Sequence, residues 1–358
     1  MRRRLLWMVP LVLVIGVSLW SLRLLWFAGA FRRIHSHFAG TCHLVRGPVG
    51  PEDITIHPRT GIAYISAADR RSVARGAAVP GAIYAYDTTA AQAVPVNLTP
   101  QADIGFQPHG ISLWTGADGH DVLFVVNHPV HADHTQTNSI EIFDLVDGAL
   151  VHRATLTDPL LVTPNDLVAV GVDRFYVTNT NRYPAGRMQT VETYLQIPGA
   201  QVLFYGPGGF RPAITGLVLP NGINVSPDGR TLYVASTTGL AIRLYDRDPV
   251  SEALHFRREV PLGSGPDNIE LDEHGNLWIG AHPKLLRIEA HGKDPQTLSP
   301  SQVLRVTPDG SKVDEVFLDD GSLLSTSTVG AVRGRRLLIG NVFDDGFLDC
   351  EMADAAAP

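Results

Sequence analysis

A polar pair, an apolar stretch, a tight turn and a second apolar stretch recur six times along the chain. The copies begin at Glu52-Asp53-Ile54, His109-Gly110-Ile111, Asn165-Asp166-Leu167, Asn221-Gly222-Ile223, Asp267-Asn268-Ile269 and Ser327-Thr328-Val329, roughly 45 to 60 residues apart. Their turns are of the kind Ser226-Pro227-Asp228-Gly229, and the second stretches run like Leu232-Tyr233-Val234 or Leu277-Trp278-Ile279. Branched and aromatic runs closed by such turns are strand pairs. Further strands at 82–86, 140–143, 201–205 and 241–245 bring the unit to about four strands. Six such units predict an all-β, six-bladed β-propeller, because radial repetition leaves few exposed strand edges. A β-sandwich needs no period of this length. A long helical bundle would not carry 34 Gly and 25 Pro.

In a propeller the innermost strand of each blade lines a central tunnel, so the six leading pairs converge. Asp and Asn also start turns by bonding local backbone, which accounts for any single pair. A carboxylate, amide or imidazole leading five of the six copies is harder to explain that way. Four carboxylates and three amides around one tunnel repel unless a cation neutralises them. All are hard oxygen donors, and no cysteine lies nearby to favour zinc, so the expected ion is calcium, with enough donors for two.

The two ends of the chain set its compartment. Arg2, Arg3 and Arg4 precede an uncharged, mostly apolar run over 5–21, and the apolar character resumes after Arg23 through Phe27. That run alone is short of the roughly 20 residues a span needs, but Arg23 can snorkel and let the helix continue to about Ala30. Residues 1–33 therefore read as an uncleaved membrane anchor, with a cleaved signal peptide as the alternative, ahead of a catalytic propeller over 34–358. Either way the body is expected outside the cytoplasm, periplasmic or extracellular. Cys42 and Cys350, the two cysteines, can pair in that setting and would tie the first strand region to the last; two separate buried thiols are the other reading. Beyond residue 33 the chain holds 23 basic against 36 acidic residues, a net charge of −13. Such a body repels polyanions, which argues against nucleic acid as a partner.

Several segments together resemble the paraoxonase/arylesterase family: Pro51-Glu52-Asp53, Pro108-His109-Gly110-Ile111-Ser112, Val125-Val126-Asn127-His128-Pro129, Pro164-Asn165-Asp166, the run Asn221 to Gly229, Asp267-Asn268-Ile269, Leu277-Trp278-Ile279-Gly280 and Asp349-Cys350-Glu351. The resemblance extends in order from Cys42 to Glu351. It implies a propeller with two calcium ions in its tunnel. The catalytic ion would be held by Glu52, Asn165, Asn221, Asp267 and Asn268, and the structural ion by Asp53, Asp166 and the main-chain carbonyl of Ile111. It further implies a catalytic histidine pair, His109 and His128, and a Cys42–Cys350 disulfide.

The reaction so implied is hydrolysis of small aryl esters and lactones: a metal-polarised carbonyl attacked by water, with His109 as base and His128 as relay. No Gly-x-Ser-x-Gly elbow is present to supply a serine nucleophile. Alternatives are a sugar lactonase of the wider gluconolactonase superfamily and a non-catalytic calcium-stabilised binding scaffold. The chain departs from the family pattern at Thr180, where an acidic residue usually stands near the second histidine; that weakens the relay through His128. Pro129 to Asn138 is longer than in the family and adds His131 and His134, which read as a solvated loop rather than a further metal site. The basic stretch Arg70 to Arg75 lies where the family has a mobile loop. It too reads as solvated, with contact to an anionic substrate group as the alternative.

Overall fold

The computed structural model describes residues 2–353, with side chains from residue 11 onward. Met1, the side chains of residues 2–10 and residues 354–358, parts of the expected anchor and body, lie outside the described residues. Six antiparallel sheets form the ring of blades expected from the repeats. The innermost strands are Pro51–Ile56, Pro108–Thr115, Pro164–Gly171, Pro220–Val225, Gly265–Leu271 and Ser327–Arg333 for blades 1 to 6. Six buried apolar clusters each join two adjacent sheets. Tyr233, Ile242 and Leu244 of blade 4, for example, pack on Ile269, Leu277 and Ile279 of blade 5. Burial between neighbours, rather than within one sheet, is what holds a propeller together.

Ring closure comes from the N-terminal side. Gly40–Val49 is the outermost strand of blade 6 and pairs with Asp345–Met352, which places Cys42 directly opposite Cys350. A disulfide joins them across 308 residues of sequence. The short strand His37–Phe38 also adds a fifth strand to blade 5, an addition the repeat pattern did not announce.

One backbone irregularity recurs in all six blades. Pairing between the first and second strands slips by one residue just after the inner strand begins, at Pro51/Asp53, Pro108/Ile111, Pro164/Leu167, Pro220/Ile223, Pro266/Ile269 and Ser327/Gly330. A bulge puts an extra residue in one strand and re-aims its side chains. It frees two consecutive residues from strict alternation, which is why the leading positions come as pairs.

Helix α1 is Arg2–Phe27, α2 Arg70–Ala74, α3 Arg187–Leu195 and α4 Leu285–Lys293. The last three interrupt the connections from second to third strand in blades 1, 3 and 5, so they sit on the face where the inner strands begin. The base of α1 docks on this face, with Leu285 N donating to Ala28 O at 3.0 Å. Farther up, Leu11, Val12, Leu13, Val14, Ile15, Val17, Leu19 and Leu22 are 49–63% exposed. Among the described residues, no helix is long and apolar enough to cross a membrane.

Candidate active site

The first residues of the six bulged pairs are Glu52, His109, Asn165, Asn221, Asp267 and Thr328; the second are Asp53, Gly110, Asp166, Gly222, Asn268 and Val329, so the sixth pair lies one residue beyond the expected Ser327-Thr328, with Ser327 at the position that proline holds in the other blades. Side chains at the second position alternate between polar and absent through blades 1 to 5, ending on the apolar Val329 in blade 6, and the two glycines explain how. A Cβ on Gly110 would stand 2.5 Å from Asn165 O and 2.6 Å from Asp166 Oδ1, and one on Gly222 would stand 2.2 Å from Asp267 O. Each glycine thus lets the next blade's polar pair approach the tunnel axis. Asp53 Oδ2 accepts from Ile111 N at 2.7 Å and Asp166 Oδ2 from Ile223 N at 2.8 Å, tying blade 1 to 2 and blade 3 to 4.

The asparagines share a regularity. Asn165 Nδ2 reaches His109 Nε2 at 3.4 Å, Asn221 Nδ2 donates to Thr237 Oγ1 at 3.1 Å, and Asn268 Nδ2 donates to Glu52 Oε1 at 2.9 Å. In each the nitrogen is engaged with protein. The oxygens Asn165 Oδ1, Asn221 Oδ1 and Asn268 Oδ1, together with Glu52 Oε2, are buried with no hydrogen-bond partner. Buried acceptors without partners are destabilising unless something positive satisfies them. Among the described residues no group of three or more His, Cys, Asp and Glu is placed to hold a metal by itself. The oxygen set here is largely amide, which suits a hard cation such as calcium.

Electrostatics point the same way. Burial and then the Glu52 charge push the Asp53 carboxyl well above the usual carboxylate range, and burial and then Asp53 do the same to Asp166. Burial also raises Asp267, against the opposing effect of His282, whose Nε2 lies 2.8 Å from Asp267 Oδ2. Burial acts to raise Glu52 as well, but the His109 ring in its charged form, and Arg70, outweigh it and hold this carboxyl at about 2. Carboxylates that resist simultaneous ionisation are what a divalent cation relieves.

The two histidines meet. His128 Nε2 lies 3.1 Å from His109 Nδ1, and His128 Nδ1 lies 2.8 Å from Asn138 Oδ1. Asn138 Nδ2 donates to Leu161 O and Val162 O at 3.0 and 2.9 Å, so its oxygen must be the atom that faces His128. It follows that His128 carries its proton on Nδ1 and accepts at Nε2, and that His109 donates from Nδ1. The lone pair is then on His109 Nε2, which faces the tunnel 3.5 Å from Glu52 Oε1 and accepts only the long 3.4 Å contact from Asn165 Nδ2. Burial, followed by the His109 ring, pushes His128 down to about 3, so it stays neutral.

Both histidines, Asn138, Asn165 and Arg70 line a cavity of about 680 Å³ at this end of the tunnel. Thr180 lines it too, but its hydroxyl turns to Thr163 O at 3.4 Å; Asn138 takes the place next to His128 instead. Sequence reasoning passed over Asn138, which lies in the lengthened loop, and over His282, whose signal is its place at the strand end opposite Gly265. His131 Nε2 bonds Thr137 and does not join His128, consistent with a solvated loop. The reading of Arg70 to Arg75 as solvated holds for Arg75, which is exposed, and is corrected for Arg70 and Arg71: Asp69 caps α2 by accepting from Ser72 N, and these two side chains are only 19% and 13% exposed because they fold inward onto main-chain carbonyls, Asp344 and His291.

Residues 34–352 match the family described as Arylesterase. The chain is 33% identical over 334 residues to serum paraoxonase/arylesterase 1 of Homo sapiens, covering 90% of this chain and 92% of that protein. It is 32% identical to serum paraoxonase/arylesterase 2 of Gallus gallus, covering 94% and 97%. Among solved structures, a gluconolactonase of Xanthomonas campestris aligns with TM-score 0.55 at 19% identity over 90% of this chain and 94% of that one. A calcium-binding protein, regucalcin, of Agrobacterium tumefaciens aligns with TM-score 0.51 at 15% identity over 88% and 96%. At such identities the structural likeness speaks for the fold alone.

Proposed function

The chain belongs to the arylesterase family and is a carboxylic ester hydrolase, and from that premise we propose that it opens lactones and cleaves aryl esters in a calcium-dependent reaction at the tunnel mouth. The observation that carries the proposal is the set of four buried, partnerless oxygens on Glu52, Asn165, Asn221 and Asn268. With Asp267 they would hold the catalytic ion, and Asp53, Asp166 and the Ile111 carbonyl a structural one. A bound calcium supplies a positive charge that polarises the substrate carbonyl and stabilises the oxygen charge developing during attack.

His109 Nε2 takes a proton from water as the water oxygen bonds to the acyl carbon. Glu52 Oε1, 3.5 Å away, stabilises the imidazolium that results. That proton then passes to the leaving oxygen as the acyl C–O bond breaks, so the products are an acid and an alcohol, joined in one molecule when a lactone opens. His128 and Asn138 hold His109 in the tautomer that leaves Nε2 unprotonated, with only the long contact from Asn165 Nδ2 to be displaced by water. His282 orients Asp267 through its 2.8 Å contact.

The same reading keeps α1 as a membrane anchor, supported by its exposed apolar side chains, with the propeller on the non-cytoplasmic side. The test is hydrolysis of phenyl acetate and a panel of lactones with and without a calcium chelator. Loss on chelation and return with calcium are expected; chelator-resistant hydrolysis would remove the metal from the reaction.

A further inference from the structure

Arg70 brings a permanent charge to the edge of the cavity. Its Nη1 is held by Gly50 O at 3.1 Å, Val342 O at 3.3 Å and Ala68 O at 3.4 Å, carbonyls drawn from blades 1 and 6 and the start of α2. Arg71 fixes the same helix through Asp344 Oδ1 and His291 Nε2, both at 2.9 Å. The guanidinium is therefore placed before any ligand arrives. Nη2 has Glu52 Oε2 as its near neighbour at 4.0 Å, beyond hydrogen-bond distance, and neither Nη2 nor Nε makes a hydrogen bond to another described residue. The paired N–H edge that grips carboxylates side-on stays available.

The walls support the same conclusion. The described lining of the cavity contains Arg70 and no Lys, Asp or Glu; its other polar side chains are neutral amides, hydroxyls and imidazoles, such as Gln107, Gln189 and Thr163. A body of net charge −13 beyond residue 33 thus opens on a pocket whose wall is positive or neutral. Glu52 is the acidic group beside Arg70, and in the proposed reaction it is committed to the ion.

We infer that Arg70 is a specificity-determining residue that binds a carboxylate carried by the substrate a few atoms from its scissile carbonyl, so that the preferred substrates are anionic lactones or esters. This rests on the hydrolase reading of the same cavity. A neutral substrate would leave the guanidinium edge with no hydrogen bond and only the 4.0 Å approach of Glu52, whereas an anionic one pairs with it bidentately; such charge-assisted bonds are the strong ones.

The experiment compares a γ-butyrolactone bearing a carboxylate on its γ carbon with the matching primary carboxamide, both at saturating calcium. The wild type is expected to favour the carboxylate in kcat/KM by about tenfold or more, chiefly through KM. In Arg70→Gln the ratio should collapse to within about twofold, and Arg70→Lys should fall between, because it keeps charge but not the fork. The ratio is internal to each variant, so partial misfolding does not alter it. A wild-type ratio at or below one, or an unchanged ratio in Arg70→Gln, overturns the inference; an equal fall in kcat for both substrates assigns Arg70 to transition-state charge instead and overturns it too. If neither lactone is hydrolysed, the hydrolase reading fails separately. The non-hydrolysed lactam carboxylate and lactam carboxamide, titrated calorimetrically into wild type, then decide: tighter carboxylate binding supports the inference, equal or weaker binding refutes it.

Discussion

His128 Nε2 stands 3.1 Å from His109 Nδ1, and the proton between them belongs to His109 because Asn138 Oδ1 claims the one on His128 Nδ1. The chain of bonds ends on a neutral amide where the family pattern offers a carboxylate. Replacing Asn138 by Leu should release the tautomer and lower kcat about tenfold or more with little change in KM, while Asn138→Asp, which still accepts, should recover part of it. Nitrogen NMR of the imidazoles reads the tautomer directly. An unchanged His128 tautomer in Asn138→Leu would contradict this arrangement.

His128 is held at about 3 by burial and the His109 ring, well below the ordinary histidine value of 6.5. Its NMR resonances should therefore not titrate between pH 8 and pH 5. The unfolded chain binds this proton and the folded one does not, so the associated stability is complete above pH 6.5 and declines as pH falls toward 3. The decline should be on the order of 1 kcal/mol per pH unit within that window, read as a shallower acid dependence of unfolding in His128→Asn.

The glycines between polar pairs give a steric prediction. Gly110→Ala would set a methyl 2.5 Å from both Asn165 O and Asp166 Cα. Displacing Asp166 should weaken the structural ion and lower stability by about 1–3 kcal/mol, seen as a reduced Tm that added calcium only partly restores. A variant with wild-type Tm and calcium affinity would show that the close approach is not needed.

Reducing the Cys42–Cys350 bond removes the tie between the entering strand and the last blade. Stability should fall by about 2–5 kcal/mol. Hydrogen exchange should quicken first over Gly40–Val49 and Asp345–Met352, since those strands depend on one another for ring closure.

The blades were legible because five of the six inner strands announce themselves with Asp, Asn, Glu or His ahead of an apolar run, the sixth with Ser327-Thr328, and that pattern is local. The same locality made the tunnel residues legible as a set. The bulge that presents two of them at once was not, because slipping one residue after Pro51 or Pro164 leaves no mark in the hydrophobic pattern. Nor was Asn138, whose meaning depends on two carbonyls more than twenty residues away. Arg70 and Arg71 were misread for a related reason. A charge run resembles a solvated surface, and the partners that bury this one, Val342, Asp344 and His291, lie at least 220 residues along the chain.

The central claim is that oxygens from separate blades hold an ion on which hydrolysis depends, and calorimetric titration of calcium into chelator-stripped protein, with lactone hydrolysis followed in parallel, tests it most directly. Two bound ions are expected, with activity returning as the weaker one binds, and with that site lost in Asp267→Ala. Full hydrolysis by the stripped protein, or no calcium uptake at all, would contradict the account.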